Sequence, residues 1–413
     1  MSIAAVPYYL GEDFREASPG MRFGMYLAAW ESANWAKTKD QPLAGAKRLT
    51  DNDRKTMQSL CKRQNLLFDT IPPAEGLRLD ARATAPFTTG LGNEHPLENG
   101  FAFLNPYGLP YLPGSGVKGV LRQAARELAG GDWGNAHGWR GDDEKPFSVV
   151  IQNKTVALSV CDVLLGRESR DGDSDHVRGV LSFWDVIPRI APKDPKKPDE
   201  IHLHVEIMTP HQGHYYQQNR DRKTGDSVSP HESGQPIPIP FLTVPPGSGF
   251  AFHVVCDLPR LHRLAPELAQ DDRWKTLLTA AFEHAFEWLG FGAKTAVGYG
   301  AMARDQKAEG ARKAALEASE RAAARAVMSE QKQTIEDFRE AFYTARDRGA
   351  HQPGGEFDAK RLALFKAALE WSDAIDRQGA AELLRETIQW SGLPGKKERK
   401  QEFKSWLATL ERE

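Results

Sequence analysis

The stretch Leu109–Glu127, reading LPYLPGSGVKGVLRQAARE, constrains this chain more than any other. Pro110 and Pro113 stiffen the approach, while Gly114 and Gly116 leave the backbone open to a close neighbour. Ser115 is then the expected helix cap, its hydroxyl accepting a bond from a first-turn N–H. Val117, Val120, Leu121, Ala124 and Leu128 recur at helical spacing, and Lys118, Arg122 and Arg126 recur every four residues. One face is apolar and another is a basic stripe. A helix start carries partial positive charge and unpaired N–H donors, so a Gly/Ser entry beside a lysine suits an anion such as phosphate. The same pattern also describes an ordinary capped amphipathic helix with a solvated basic face, and this stretch alone favours that plainer reading.

A second stretch shifts the balance. Leu289–Gly300 reads LGFGAKTAVGYG and follows an apolar helix built on Trp274, Leu277, Leu278, Ala281, Phe282, Ala285, Phe286 and Leu289. Its four glycines, with Lys294 and Thr295 among them, predict a flexible turn dense in backbone donors, suited to following a phosphate backbone. It lacks GK[ST] at Walker spacing, and its glycines are misplaced for a dinucleotide fingerprint, so a nucleotide-binding P-loop is excluded.

Together, PYLPGSGVKGVLR and GFGAKTAVGYG resemble the two signature regions of the RAMP superfamily of CRISPR proteins, the second being its glycine-rich loop. Three further stretches narrow the likeness: VEIMTPHQGHYY (Val205–Tyr216), PIPIPFLTVPPGSGFAF (Pro236–Phe252) and GLGNEHPLENGFAFLNPYGLPYLPG (Gly90–Gly114). These are similar to the family of sixth subunits of the Cmr, or type III-B, effector complex. The likeness runs from Leu77 to Arg304 and leaves out the C-terminal tail and most of the first seventy-odd residues.

The chain has 413 residues, 40% hydrophobic and 27% charged, enough to bury a substantial core over two or three domains. No apolar run is long enough to span a membrane and no signal peptide is evident, which places the chain in the cytoplasm. Cys61, Cys161 and Cys256 are far apart and form neither CxxC nor a disulfide framework, so a reducing compartment fits and a structural zinc does not. The net charge is −2. A non-specific coat for nucleic acid carries a large positive excess, so any RNA-binding cations here must be gathered in a groove.

The predicted fold class is α+β. Leu77, Leu79, Ala81 and Ala83 alternate with Arg78, Asp80 and Arg82, the signature of a half-buried first core strand. Before it come an aromatic cluster, Phe23, Tyr26, Trp30 and Trp35, and a helix over 51–67. After the organising helix, 149–163 reads as a strand or hairpin, and 180–187, 202–207 and 250–255 read as strands. A helix through Leu289 and a last strand over 296–303 complete the core. Strand, helix, strands, helix, strand is the order of a ferredoxin-like, or RRM-like, βαββαβ unit with large insertions, the fold the resemblance also implies. The domains are then an N-terminal segment over 1–76, the core over 77–304 with an excursion near 209–240, and a helical stalk and appendage over 305–413. In that tail Ile335, Phe338, Phe342, Leu362, Phe365, Leu369, Leu383, Leu384, Ile388, Phe403, Leu407 and Leu410 supply the apolar faces. The Lys396–Lys400 run reads as a solvated helix start. No aromatic RNP1 motif is evident, so RNA contacts are expected from loops and helix ends.

His202 and His204 share one face of a strand, with His211 and His214 nearby, a grouping that can ligate a metal or move protons in RNA cleavage. No cysteine or carboxylate cluster accompanies it at metal-ligand spacing, and the resemblance implies no cleavage by this subunit. The acidic run holding Asp171, Asp173 and Asp175, with Asp162 before it, can bind a divalent ion or be a solvated loop. Tyr215 and Tyr216 can stack on bases or anchor the excursion on a neighbouring subunit. No catalytic residue, metal, cofactor or small-molecule substrate is assigned. The resemblance implies a non-catalytic subunit that binds guide RNA near its 3′ end and caps the filament of backbone subunits in antiviral defence. Its partners would be guide RNA, target RNA and other Cmr subunits. Ser115, Lys118, Arg122, Lys294 and Thr295 would hold guide phosphates, and His211, His214, Tyr215 and Tyr216 would act where the strands part. The alternatives are a CRISPR-RNA-processing endoribonuclease of the same superfamily and a protein-interaction module working through its helical tail.

Overall fold

A computed structural model describes residues 2–31, 34–37, 43–133, 138–139, 147–151, 153–168, 175–192, 194, 196–197, 199–209, 238–349, 353–393 and 397–410. They form two compact units, Met1–Glu309 and Gly310–Glu413.

The first unit is organised by a four-stranded sheet. Its strands are β1 (Gly76–Ala83), β2 (Leu181–Phe183), β5 (Gly249–Cys256) and β6 (Met302–Arg304), and a separate hairpin pairs β3 (His204–Met208) with β4 (Ile239–Thr243). The sheet order is β6-β1-β5-β2 and every neighbouring pair is antiparallel. Register places Phe252 opposite Leu79 and Val254 opposite Leu77, so one face of the sheet carries the alternating apolar residues. Helices α2 (Gly114–Ala129) and α3 (Arg273–His284) cover that face. Val117, Leu121, Ala124 and Leu128 from α2 share one core with Trp274, Leu277, Leu278 and Phe282 from α3. Phe252 lies 5.2 Å from the Phe282 ring and 5.1 Å from the Phe291 ring. Each such side chain buried contributes on the order of 1.5–3 kcal/mol.

The opposite face is closed too. Helix α1 (Asp51–Phe68), begun by a reciprocal Thr50–Asp53 cap, lays its C-terminal end over it. The Phe68 ring sits 5.0 Å from His253, Arg78 donates to Asn65 at 2.9 Å, and Asp80 is buried against Arg78 and Arg189 at 3.1 and 3.2 Å. A sheet covered on both faces offers no platform for stacked bases. Phe23, at the start of the chain, stacks on His95 at 3.8 Å, while Tyr26 stacks on Phe14.

The structure refines several boundaries. Residues 147–165 form a hairpin, Phe147–Ile151 with Lys154–Leu158, followed by a short helix, Val160–Leu165. The strand predicted over 296–303 is three residues long, because Thr295–Val297 coils into a 3₁₀ turn before the chain extends. Helix α3 continues into a wider π-helical turn at Ala285–Leu289.

The long polar helix α4 (Gln306–Ala326) buries none of its residues. The second unit then packs α5 (Glu330–Asp347), α6 (Glu356–Glu370), α7 (Ala374–Ser391) and α8 (Lys397–Leu410) around Phe342, Leu364, Phe365 and Leu384. Among the described residues no helix is long and apolar enough to cross a membrane.

Candidate nucleic-acid interface

The start of α2 differs from its sequence reading in one respect. Pro113 holds the cap position without a side-chain bond, and Ser115 lies inside the first turn, exposed, so Ser115 is not the cap. Gly114 N–H instead donates to Asp185 Oδ1 at 2.8 Å. Backbone pairing of Leu112 with Val186, 2.8 Å in both directions, brings Asp185 there. Gly114 is required because an added Cβ would run into the Phe183 carbonyl oxygen. The first amide of the helix thus faces a carboxylate, leaving Ser115 and Gly116, which have no carbonyl four residues back within the helix, as its open donors.

One turn on, Lys118 is half-buried. Burial holds its ammonium below the usual lysine range, and Arg122 and Arg178 push the same way against Glu168. Among the described residues no carboxylate is in ion-pair range of Lys118. Arg122 has a different job. It pairs with Glu168 at 2.5 Å and donates to the Leu165 carbonyl at 2.8 Å, fixing the end of the 160–165 helix. Of the basic stripe, Arg122 has structural partners, while among the described residues Lys118 has none within ion-pair range.

The glycine loop is tighter than its composition suggested. The amides of Phe291, Ala293, Val297, Gly298, Tyr299 and Gly300 donate to Gly300, Thr88, Lys294, Thr295, Lys294 and Pro86 carbonyls. Most of the expected phosphate donors are therefore used internally. Gly292 and Gly300 have φ of +90° and +73°, and each presses so closely on backbone, Thr88 and Phe291 respectively, that no Cβ fits. Lys294, itself at φ +60°, reaches the β3–β4 hairpin: its Nζ lies 2.7 Å from Met208 Sδ and 5.4 Å from the Phe241 ring centroid. A thioether and a ring face orient the ammonium without neutralising it. Thr295 follows it, half-buried, in the 3₁₀ turn.

That hairpin is the root of the predicted excursion. His211, His214, Tyr215 and Tyr216 lie outside the described residues, as do Asp171 and Asp173. The two aspartates flanking that loop have structural partners: Asp162 caps the 160–165 helix with Ser159, and Asp175 pairs with Arg167 at 3.2 Å. His202 Nδ1 accepts the Leu49 N–H at 3.1 Å. Among the described residues no group of three His, Cys, Asp or Glu is arranged to hold a metal ion.

The predicted residues therefore fall into two clusters. Ser115 and Lys118 sit with Arg122 and Arg178, and Lys294 and Thr295 sit at the excursion's root; among the described residues no hydrogen bond or ion pair joins the two. Sequence reasoning missed Arg178, Asp185, Met208 and Phe241. Their roles come from tertiary contacts across more than 50 residues, and no local motif signals them.

A family model of the RAMP superfamily matches residues 80–303. The chain is 28% identical over 246 residues to the CRISPR system Cmr subunit Cmr6 of Pyrococcus furiosus, a match spanning 52% of this chain and 63% of that protein. Similar solved structures include the crystal structure of Cmr6 from Pyrococcus furiosus, with 24% identity, a TM-score of 0.28, and coverage of 57% of this chain and 100% of that one. Another is a chain in the cryo-EM structure of the type III-B Cmr-beta bound to cognate target RNA, with 18% identity, a TM-score of 0.37, and coverage of 63% and 68%.

Proposed function

The chain belongs to the RAMP superfamily, and from that membership we propose that it is a non-catalytic, guide-RNA-binding subunit of a type III-B CRISPR effector, capping the backbone filament near the guide 3′ end. Its likeness to the Cmr6 of Pyrococcus furiosus, a subunit of a CRISPR system, supports other Cmr subunits as partners, with guide RNA and target RNA as the proposed ligands and the cytoplasm as the proposed place of work. The sheet order last-first-third-second, with a helix after the first and third strands, supports a ferredoxin-like core.

The observation that carries the site is Lys118: a half-buried ammonium beside two arginines, with no carboxylate paired to it among the described residues, at a helix start with two open amides. Such a group gains most from a phosphate, whose negative charge replaces the hydration that burial took away. Lys294, held over Phe241, is the second phosphate ligand, at the root of the excursion carrying His211, His214, Tyr215 and Tyr216. Ser115 and Thr295 add hydroxyl donors beside them, and Arg122 positions the surrounding backbone. Contacts of this kind grip without reading sequence, which base pairing supplies.

The test is the double variant Lys118→Ala with Lys294→Ala in the assembled particle. Guide retention should fall, and the log–log salt slope for single-stranded RNA should shrink by roughly 0.7 for each phosphate no longer gripped. Unchanged guide retention overturns the phosphate grip.

A further inference from the structure

Two adjoining clefts open at the start of α1, and none of the described residues assigned to the guide lines either. The larger, of about 490 Å³, is lined by Arg48, Arg54, Lys55 and His202, with Glu16 and Asp51 as its carboxylates. The smaller, of about 200 Å³, is a mainly apolar slot walled by Met57, Cys61, Ile190 and Ile201, with Gln58 and Arg189 also in its lining. Leu49 and Arg54 line both, so the two compartments meet at Arg54.

The walls are rigidly built. Buried Arg22 donates to the carbonyls of Ala17 at 2.7 Å and Arg48 at 2.6 Å, and also to Gly45. It also faces Asp53 at 3.5 Å, the acid that closes the Thr50 cap. The loop before α1 is thereby pinned from inside, leaving the Arg48 side chain on the cleft. The Thr50–Asp53 cap uses donors of the helix start, so the cleft's pull on an anion comes from side chains. Arg54 is held at the shared mouth by Asp51 and by the Asp199 carbonyl at 3.1 Å. Because His202 Nδ1 accepts the Leu49 amide, its neutral ring carries its proton on Nε2, a hydrogen-bond donor. Burial, then Arg54, Lys47 and Arg48, hold that ring below the usual histidine range against Glu200. In the slot, burial pushes the Cys61 thiol up, so it is uncharged.

We propose that this pair of clefts binds a nucleoside phosphate, the phosphate among Arg48, Lys55 and His202 and the base in the slot between Met57 and Ile201. A few placed cations beside an apolar wall is the composition of small-ligand sites, and a charged phosphate with a flat, weakly polar base matches both halves. The site shares no residue with the phosphate grip, so either assignment can fail alone. The nucleoside phosphate can be a free nucleotide or one residue of an RNA strand.

The experiment is calorimetric titration of the full chain with AMP, adenosine, inorganic phosphate and the trinucleotide ApApA. AMP should bind at least about tenfold tighter than adenosine or phosphate, because only it fills both compartments. Arg48→Ala with Lys55→Ala changes cations outside the buried Arg22 network and should weaken AMP by about tenfold or more at unchanged thermal stability. Cys61→Leu narrows the slot and should weaken AMP while leaving any phosphate binding intact. ApApA binding more tightly than AMP identifies RNA as the source; AMP binding equally or better identifies a free nucleotide. No binding of either, or binding that the Arg48/Lys55 variant leaves unchanged, overturns the site, and AMP affinity unchanged by Cys61→Leu overturns the placement of the base.

Discussion

The Asp185 carboxylate accepts the Gly114 amide at 2.8 Å, so the helix start that reads as an anion site already faces one anion. It caps α2 from a distant loop, as a serine would from the adjoining residue. Asp185→Ala should destabilise the protein by about 1 kcal/mol, seen as a lower urea midpoint at unchanged slope. Affinity for single-stranded RNA should hold or rise, since the deleted charge repels phosphate. A loss of RNA affinity in the folded variant would show that Asp185 organises the interface instead.

Lys118 and Arg122 are one turn apart, and their substitutions should separate. Arg122→Ala removes the support of the Leu165 carbonyl and the Glu168 pair, so it should act on stability, by about 1–3 kcal/mol. Lys118→Ala relieves an unpaired, half-buried charge, so stability should hold while RNA affinity and its salt slope fall. Urea melts and filter binding at several salt concentrations check both. Equal effects of the two variants on RNA would count against the division of labour.

These contrasts mark how far the sequence could be read. Periodicity located β1, α2, β5 and α3, because alternation and helical spacing are local consequences of a buried face. It also found the apolar faces of the tail, where Phe338, Phe342 and Phe365 do share one core. What stayed hidden is long-range. Nothing near Ser115 shows that a carboxylate 70 residues on takes the first amide, and nothing in GFGAKTAVGYG shows that its amides turn inward to Pro86 and Thr88. Glycine content signals positive φ or close approach, and only the fold decides between an open cradle and a tight seam. The covered sheet was half legible: the absent aromatic motif excluded stacking, but not that α1 does the covering.

The glycines of that seam are not equivalent. Gly298, at φ +91°, has open space where a side chain would go, so Gly298→Ala should cost about 1–2 kcal/mol of backbone strain. Gly300, at φ +73°, meets the Phe291 backbone, and Gly300→Ala adds a clash to that strain. Thermal melts should show a modest shift for the first and a loss of several kcal/mol, or failure to fold, for the second. Similar melts for the two would mean the loop relaxes freely.

Glu127 accepts from His284 at 2.7 Å beneath the edge of Trp133. Burial alone would raise its carboxyl, but the His284 and Gln123 hydrogen bonds outweigh it and hold the group below its usual 4.5. A carboxyl lowered on folding adds stability that is present above its unfolded value and is lost as pH falls through the folded one. Glu127→Gln should therefore be less stable than the parent near neutral pH, with the gap closing as pH drops below 4.5. Urea melts across that range check the sign. A gap independent of pH would assign the loss to packing.

The helical unit holds a buried pair whose removal should be far costlier than that of its surface pairs. Arg361 is 1% exposed and donates to Asp358 at 2.7 Å, Ser391 Oγ at 2.9 Å and the Gly392 carbonyl at 3.0 Å, tying α6 to the end of α7. The other Asp358 oxygen accepts the Gly354 amide at 2.8 Å. Arg361→Ala takes the guanidinium from that buried carboxylate and a donor from Ser391 and the Gly392 carbonyl, and should cost about 3–5 kcal/mol. Glu386→Ala, which breaks a pair with Arg346 whose side chains are each over 40% exposed, should cost under about 1 kcal/mol. Calorimetric scans of the two variants of the full chain measure the contrast. If Arg361→Ala melts like the Glu386 variant, water reaches Asp358 once the arginine is gone, and the pair contributes specificity of packing more than stability.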